Sequence, residues 1–166
     1  KELDYLRGVL DFLSRAQSEE DLAEIREELY KSGYGARMKS FKPEKKRKIN
    51  LTEHRTSDGK RVLVGRNNIQ NDYLTLTLAG KEDIWFHVKD YHGSHAVLFT
   101  EGEEPTDRDY TESASIAAYY SQAKGNNVAV DYTRVKNIKK PQGSKPGFVT
   151  YKTNYTAYVT PELPKD

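Results

Sequence analysis

Asp83 to Val97 reads DIWFHVKDYHGSHAV and gathers three of the four histidines and the only tryptophan of the chain. Imidazoles beside a carboxylate and a serine suggest three kinds of chemistry: metal ligation, nucleophilic attack, or recognition of a planar ligand. A metal would need His87, His92, His95 and Asp83 to converge. No H-x-H or H-x-x-x-H pair is present, and the turn chemistry of Tyr91-His92-Gly93 separates His87 from His92, so no metal is expected. Ser94 sits in Gly93-Ser94-His95, outside the G-x-S-x-G frame that strains a nucleophile into position, and no separate Asp-His pair serves it. There is no P-loop or G-x-G-x-x-G cradle; Pro141 to Gly147, PQGSKPG, is a loop bearing glycine and lysine. The expectation is a protein that is not an enzyme and carries no cofactor.

Recognition is the stronger reading. Side chains alternate along a strand, so Asp83, Trp85 and His87 share one face and Ile84, Phe86 and Val88 the other. The first face is either a platform that stacks a base and bonds its edge, or a buried tryptophan flanked by groups that satisfy local backbone. Gly65-Arg66-Asn67-Asn68 offers a second polar set, able to read base edges or phosphate, or equally to cap a helix and tie down a turn. Net charge is only +2, but it is segregated. Lys42 to Lys48 carries five cations against one acid, and Arg134 to Lys145, with Lys136, Lys139, Lys140 and Lys145, carries five with none. Acids collect in Glu19 to Glu28 and Glu101 to Asp109. Basic loops of this kind can meet phosphate, and together these features favour an RNA-contacting module over an enzyme.

These residues need a scaffold. The length suits one domain plus an appendage. No cysteine is present, which excludes a disulfide framework and fits a reducing cytosol. No apolar run approaches the roughly 20 residues that cross a bilayer, so no membrane insertion is expected. Leu3, Leu6, Leu10 and Leu13 form a short a/d seam that wants a partner helix. Ser18 opens a second helix bearing Leu22, Ile25 and Leu29, which Gly33 ends. Residues 1–33 therefore read as the end of a longer helical or coiled-coil arm, or as a hairpin packed on its own domain. Residues 34–50 read as a basic linker, and the compact domain as 51–166. Within it, Asp58-Gly59 marks a β-hairpin turn and Ile69 to Gly80 a helix. Asp83 to Val88, Ala96 to Phe99, Val128 to Thr133 and Phe148 to Val159 read as strands. Glu101 to Asp109 reads as an acidic loop, followed by a small-faced helix capped by Thr111 and closed by Gly125. The predicted class is α+β, a mostly antiparallel sheet with one or two packed helices, preceded by the helical segment.

Several strings then occur in a meaningful order: GRNNIQNDYLTLTLA, DIWFHVKDYHGSH, SASIAAYYS at Ser113 to Ser121, and VDYTRVKNIKKPQGSKPGFVTY. This order resembles the NFACT-R domain, which closes the bacterial fibronectin-binding protein A and RqcH family. The resemblance spans about residues 50–160, and residues 1–33, with EIREELYKSGY at Glu24 to Tyr34, resemble the end of the preceding coiled-coil arm, whose partner helix would lie elsewhere in the parent protein. It implies RNA binding on obstructed large ribosomal subunits, with tRNA recruited to add alanine to stalled chains, in the cytoplasm. It also implies a second role as a fibronectin-binding adhesin at the cell surface without a signal peptide. The family's D-x-W-x-H falls on Asp83, Trp85 and His87, its G-S-H on Gly93, Ser94 and His95, and its R-N-N on Arg66, Asn67 and Asn68. His92 stands where proline is common, which speaks further against a metal there.

Overall fold

The computed structural model describes residues 2–35 and 48–165. The basic run from Lys42, apart from Lys48, lies outside the described residues, as does most of the expected linker.

Helices α1 (Glu2–Ser14) and α2 (Glu19–Leu29) form a hairpin. The Ser18 hydroxyl accepts the Asp21 N–H at 3.1 Å, the expected cap. A π-helical turn, Tyr30–Tyr34, continues α2 and breaks at Gly33, whose φ of 99° favours glycine. The leucine seam does not form the hairpin core. Tyr5, Val9 and Phe12 close on Ile25, with Leu6, Leu13 and Leu29 at the margin, while Leu3 and Leu10 face outward. The larger aromatic faces offered more burial per residue than the leucines, and they decide which stripe turns inward.

Strands β1 (Thr52–Arg55) and β2 (Arg61–Val64) flank the Asp58-Gly59 turn, as expected. Helix α3 (Asn68–Asp72) runs into a π-helical turn, Tyr73–Leu78, which bears out a helix in this stretch. Strands β3 (Ile84–Val88) and β4 (Ala96–Leu98) follow, then helix α4 (Asp107–Tyr119), strand β5 (Val128–Arg134) and strand β6 (Tyr155–Val159). The strands form one six-stranded sheet, ordered β1-β2-β4-β3-β5-β6, with every neighbouring pair antiparallel. The fold is α+β.

Two boundaries differ from expectation. Thr106, not Thr111, caps α4: its hydroxyl accepts the Asp109 N–H, and the Asp109 carboxylate accepts the Thr106 N–H, a complete capping box. Three residues past Thr111 stands Ala114, which cannot reciprocate. The helix ends at Tyr119, ahead of Gly125. Of the stretch expected as strand from Phe148, only Tyr155–Val159 pairs as β6; Thr150 makes an isolated bridge to Lys139.

Each sheet face has its own cover. Val62, Val64, Phe86, Ala96 and Val130 pack beneath the small Ala114, Ala117 and Ala118 face of α4. On the opposite face Leu63, Trp85 and Val97 pack under Leu74, Phe99 and Ile138. The second cover is shorter and leaves part of its face open toward α1.

Candidate nucleic-acid interface

The face carrying Trp85 is not a stacking platform. Trp85 is 2% exposed. Its ring lies parallel to His87 at 5.8 Å, meets the edge of His95 at 5.3 Å and tilts against Tyr151 at 5.0 Å. These neighbours occupy the surfaces that an incoming base would need, so the stacking role foreseen for Trp85 is corrected: side-chain alternation placed it on the right face, but that face is also packed. Asp83 precedes β3 and is likewise structural. One carboxylate oxygen accepts the Gly80 N–H at 2.7 Å and the other the Thr100 N–H at 3.0 Å, closing the turn into the strand.

His95 is buried and fully engaged. Its Nε2 lies 3.1 Å from the Gly147 carbonyl, which can only accept, so Nε2 carries the hydrogen; the Thr75 hydroxyl then donates to Nδ1 at 2.8 Å. Burial pushes the His95 imidazole well below its ordinary value, reinforced by the neighbouring His87, and burial also lowers His87. Both rings are neutral at pH 7, which suits hydrogen bonding and not attraction of phosphate. Ser94 is buried, with its N–H donating to the Tyr120 carbonyl at 2.9 Å.

The Arg66-Asn67-Asn68 run turns toward the helical hairpin. Arg66 pairs with Asp21 of α2. Asn67 caps α3 through the Gln70 N–H at 2.8 Å, and its amide donates to Glu24 at 3.1 Å. Asn68 donates to Glu28 at 3.0 Å, and the same carboxylate oxygen receives the Tyr5 hydroxyl at 2.5 Å. Glu28 is 1% exposed, and burial raises its pKa despite these donors. Asp21, Glu24 and Glu28 follow one another at helical spacing along one face of α2 and meet a row of donors on the sheet domain, so this motif docks the hairpin rather than facing a ligand.

The loop from Arg134 to Lys145 divides its lysines between two roles. Lys140 is a structural pin: its ammonium donates to the Lys145 and Phe148 carbonyls at 2.6 and 2.9 Å and lies 3.4 Å from Asp72. Lys145 lies over Tyr5 and Tyr34, 5.1 and 5.6 Å from the ring centroids. Gly147 is seated against Asn68, where a Cβ would meet Oδ1 at 2.2 Å, and its φ is 81°. Lys136 and Lys139, by contrast, are exposed. Lys136 reaches Glu82 only at 3.5 Å, and Lys139 has no ion pair among the described residues. These two cations remain available to a polyanion.

Between α1, the end of β3 and residues 142–149 lies a cleft of about 1180 Å³. Its walls include Asp131 and Tyr151, which sequence reasoning missed. Asp131 accepts the Tyr151 hydroxyl at 2.7 Å and the Thr156 hydroxyl at 2.8 Å. The signal was present in VAVDYTR, where an acid occupies an inward position of an apolar strand. No cluster of metal-ligating side chains occurs among the described residues.

Residues 50–153 match the family described as NFACT protein RNA binding domain. The chain belongs to the NFACT-R family. It is 45% identical over 98% of its length to the Rqc2 homolog RqcH of Bacillus subtilis (strain 168), covering 28% of that protein. It is 46% identical over 97% of its length to the Rqc2 homolog RqcH of Streptococcus pneumoniae (strain ATCC BAA-255 / R6), covering 29%. The chain thus spans under a third of these relatives. Its fold matches the C-terminal structure of the fibronectin/fibrinogen-binding protein from Streptococcus suis, with a TM-score of 0.86 and 43% identity over 97% of this chain and 64% of that one. In this NFACT-R chain, the D-x-W-x-H and R-N-N residues build the domain and seat the hairpin on it.

Proposed function

We propose that the chain is the RNA-binding module of a ribosome quality-control factor, contacting tRNA or the large ribosomal subunit while alanine is added to stalled chains. The observation that carries this reading is the match to an RNA-binding family across residues 50–153. Relatives whose names place them with Rqc2 support the quality-control setting. Lys136 and Lys139 supply the phosphate contacts, and the arm of residues 1–33 orients the 51–166 unit. Such a module works in the cytoplasm by positioning RNA and does no chemistry of its own. No described helix is long and apolar enough to cross a membrane.

The likeness to a fibronectin/fibrinogen-binding protein of Streptococcus suis favours one second reading, a fibronectin-binding surface. Binding of the purified chain to tRNA and to fibronectin, each over a salt series, separates the two. The first reading expects tRNA affinity that falls steeply as salt rises; fibronectin affinity without measurable tRNA affinity would replace it with the second.

A further inference from the structure

We infer that the cleft between α1 and the sheet admits one unstacked nucleobase of a bound RNA strand, an inference that rests on the RNA-binding reading above. The first argument is charge. Lys89 and Lys145 at the walls are opposed by Glu2, Asp4, Asp90 and Asp131, so the interior offers no net attraction for a phosphate. What it does offer suits a neutral planar group with hydrogen-bonding edges. His87 lines the cleft with an imidazole that burial keeps uncharged. Trp85 lines it as well, and its indole N–H is buried without a hydrogen-bond partner among the described residues, a donor left for an acceptor such as a base carbonyl or ring nitrogen.

The second argument is shape. Phe148 and Tyr91 belong to the same walls and are 53% and 56% exposed, so two ring faces remain at the rim for stacking. A cavity of about 1180 Å³ has ample room for one base and its ribose. Base-paired duplex cannot present a single base in this way. Lys139, whose backbone pairs with Thr150 next to the wall residue Val149, then holds a flanking phosphate outside while the base goes inside. Binding of this kind prefers single-stranded RNA to duplex and changes the environment of the inserted base.

The test uses the 166-residue chain with a single-stranded RNA carrying one 2-aminopurine, the same label within an RNA duplex, and free 2-aminopurine riboside. The expected result is a change in 2-aminopurine fluorescence on binding the strand and not the duplex. Phe148→Ala with Tyr91→Ala should weaken strand binding by about tenfold and lose the fluorescence change. Both side chains are exposed, and circular dichroism checks that the fold persists. Equal affinity for strand and duplex, with no effect of the rim variants, would overturn the cleft assignment and leave RNA binding standing. Riboside bound as tightly as the strand would also overturn it, in favour of a free-nucleoside site. Failure to bind either RNA would remove the RNA-binding reading itself.

Discussion

The Arg66-Asn67-Asn68 run and the Lys136–Lys139 stretch have the same polar vocabulary, yet the fold uses them differently. The first is turned inward, its donors matched by Asp21, Glu24 and Glu28 of α2. In the second, the Lys136 and Lys139 side chains face water, with one weak ion pair between the two of them among the described residues. The difference teaches that polar residues in a family motif are not necessarily those that touch the ligand. A buried donor–acceptor row fixes geometry because leaving either side unmatched is costly, whereas an exposed lysine contributes little to stability and is free to exchange water for phosphate.

The contrast can be broken most forcefully on the inward side. Trp85→Ala should destabilise the domain by about 3–5 kcal/mol, because it opens a cavity between His87, His95 and Tyr151. Denaturant unfolding measures this, and a loss below about 1 kcal/mol would mean that the tryptophan is not the packed centre described. Next in size is Asn68→Ala, which leaves the buried Glu28 short of one donor and should cost about 1–3 kcal/mol. Amide exchange should then show α1 and α2 loosening ahead of the sheet; uniform loosening would deny that Asn68 acts through the hairpin.

The pH dependence is smaller and has opposing parts. His87 and His95 are held below the ordinary histidine value of 6.5, so the unfolded chain takes up protons first. Their contribution is present above pH 6.5 and is lost as pH falls below it. His54 pulls the same way. Glu28 and Asp72, both raised by burial, act in the other direction: above the ordinary carboxylate values of 4.5 and 3.8 their ionised forms weigh on the fold, and acidification relieves this. Glu28→Gln removes part of that relief. Its stability should therefore fall more steeply than wild type as pH is lowered toward the ordinary carboxylate value of 4.5, measured by urea midpoints; a shallower slope would reverse the assignment.

Much of the fold was legible in the sequence, and the misses have physical causes. The Asp58-Gly59 hairpin, the Ser18 cap and the alternation through β3 all depend on neighbours within a few residues, where local rules are strong. The α4 start was legible too, since Thr106 is followed three positions later by Asp109 and Thr111 by Ala114. Trp85 could not be settled, because alternation assigns a face and says nothing of what covers that face. The Arg66–Asp21 and Asn68–Glu28 pairs join residues far apart in the chain, beyond the reach of any periodicity. The split among the lysines is the same kind of fact: Lys140 and Lys139 are neighbours, and the carbonyls of Lys145 and Phe148, with the Asp72 carboxylate, make a pin of Lys140 while Lys139 has no ion pair among the described residues.

The smallest effect on stability belongs to the outward side, and the central claim rests there. Lys136→Ala with Lys139→Ala should leave unfolding within about 0.5 kcal/mol of wild type. The most direct measurement is tRNA affinity of this double variant against wild type over a salt series. Two lost phosphate contacts should weaken binding at low salt and flatten the slope of log affinity against log salt by about 1.4–1.8. An unchanged affinity and slope in the double variant, with the fold intact, would contradict the assignment of this surface to RNA.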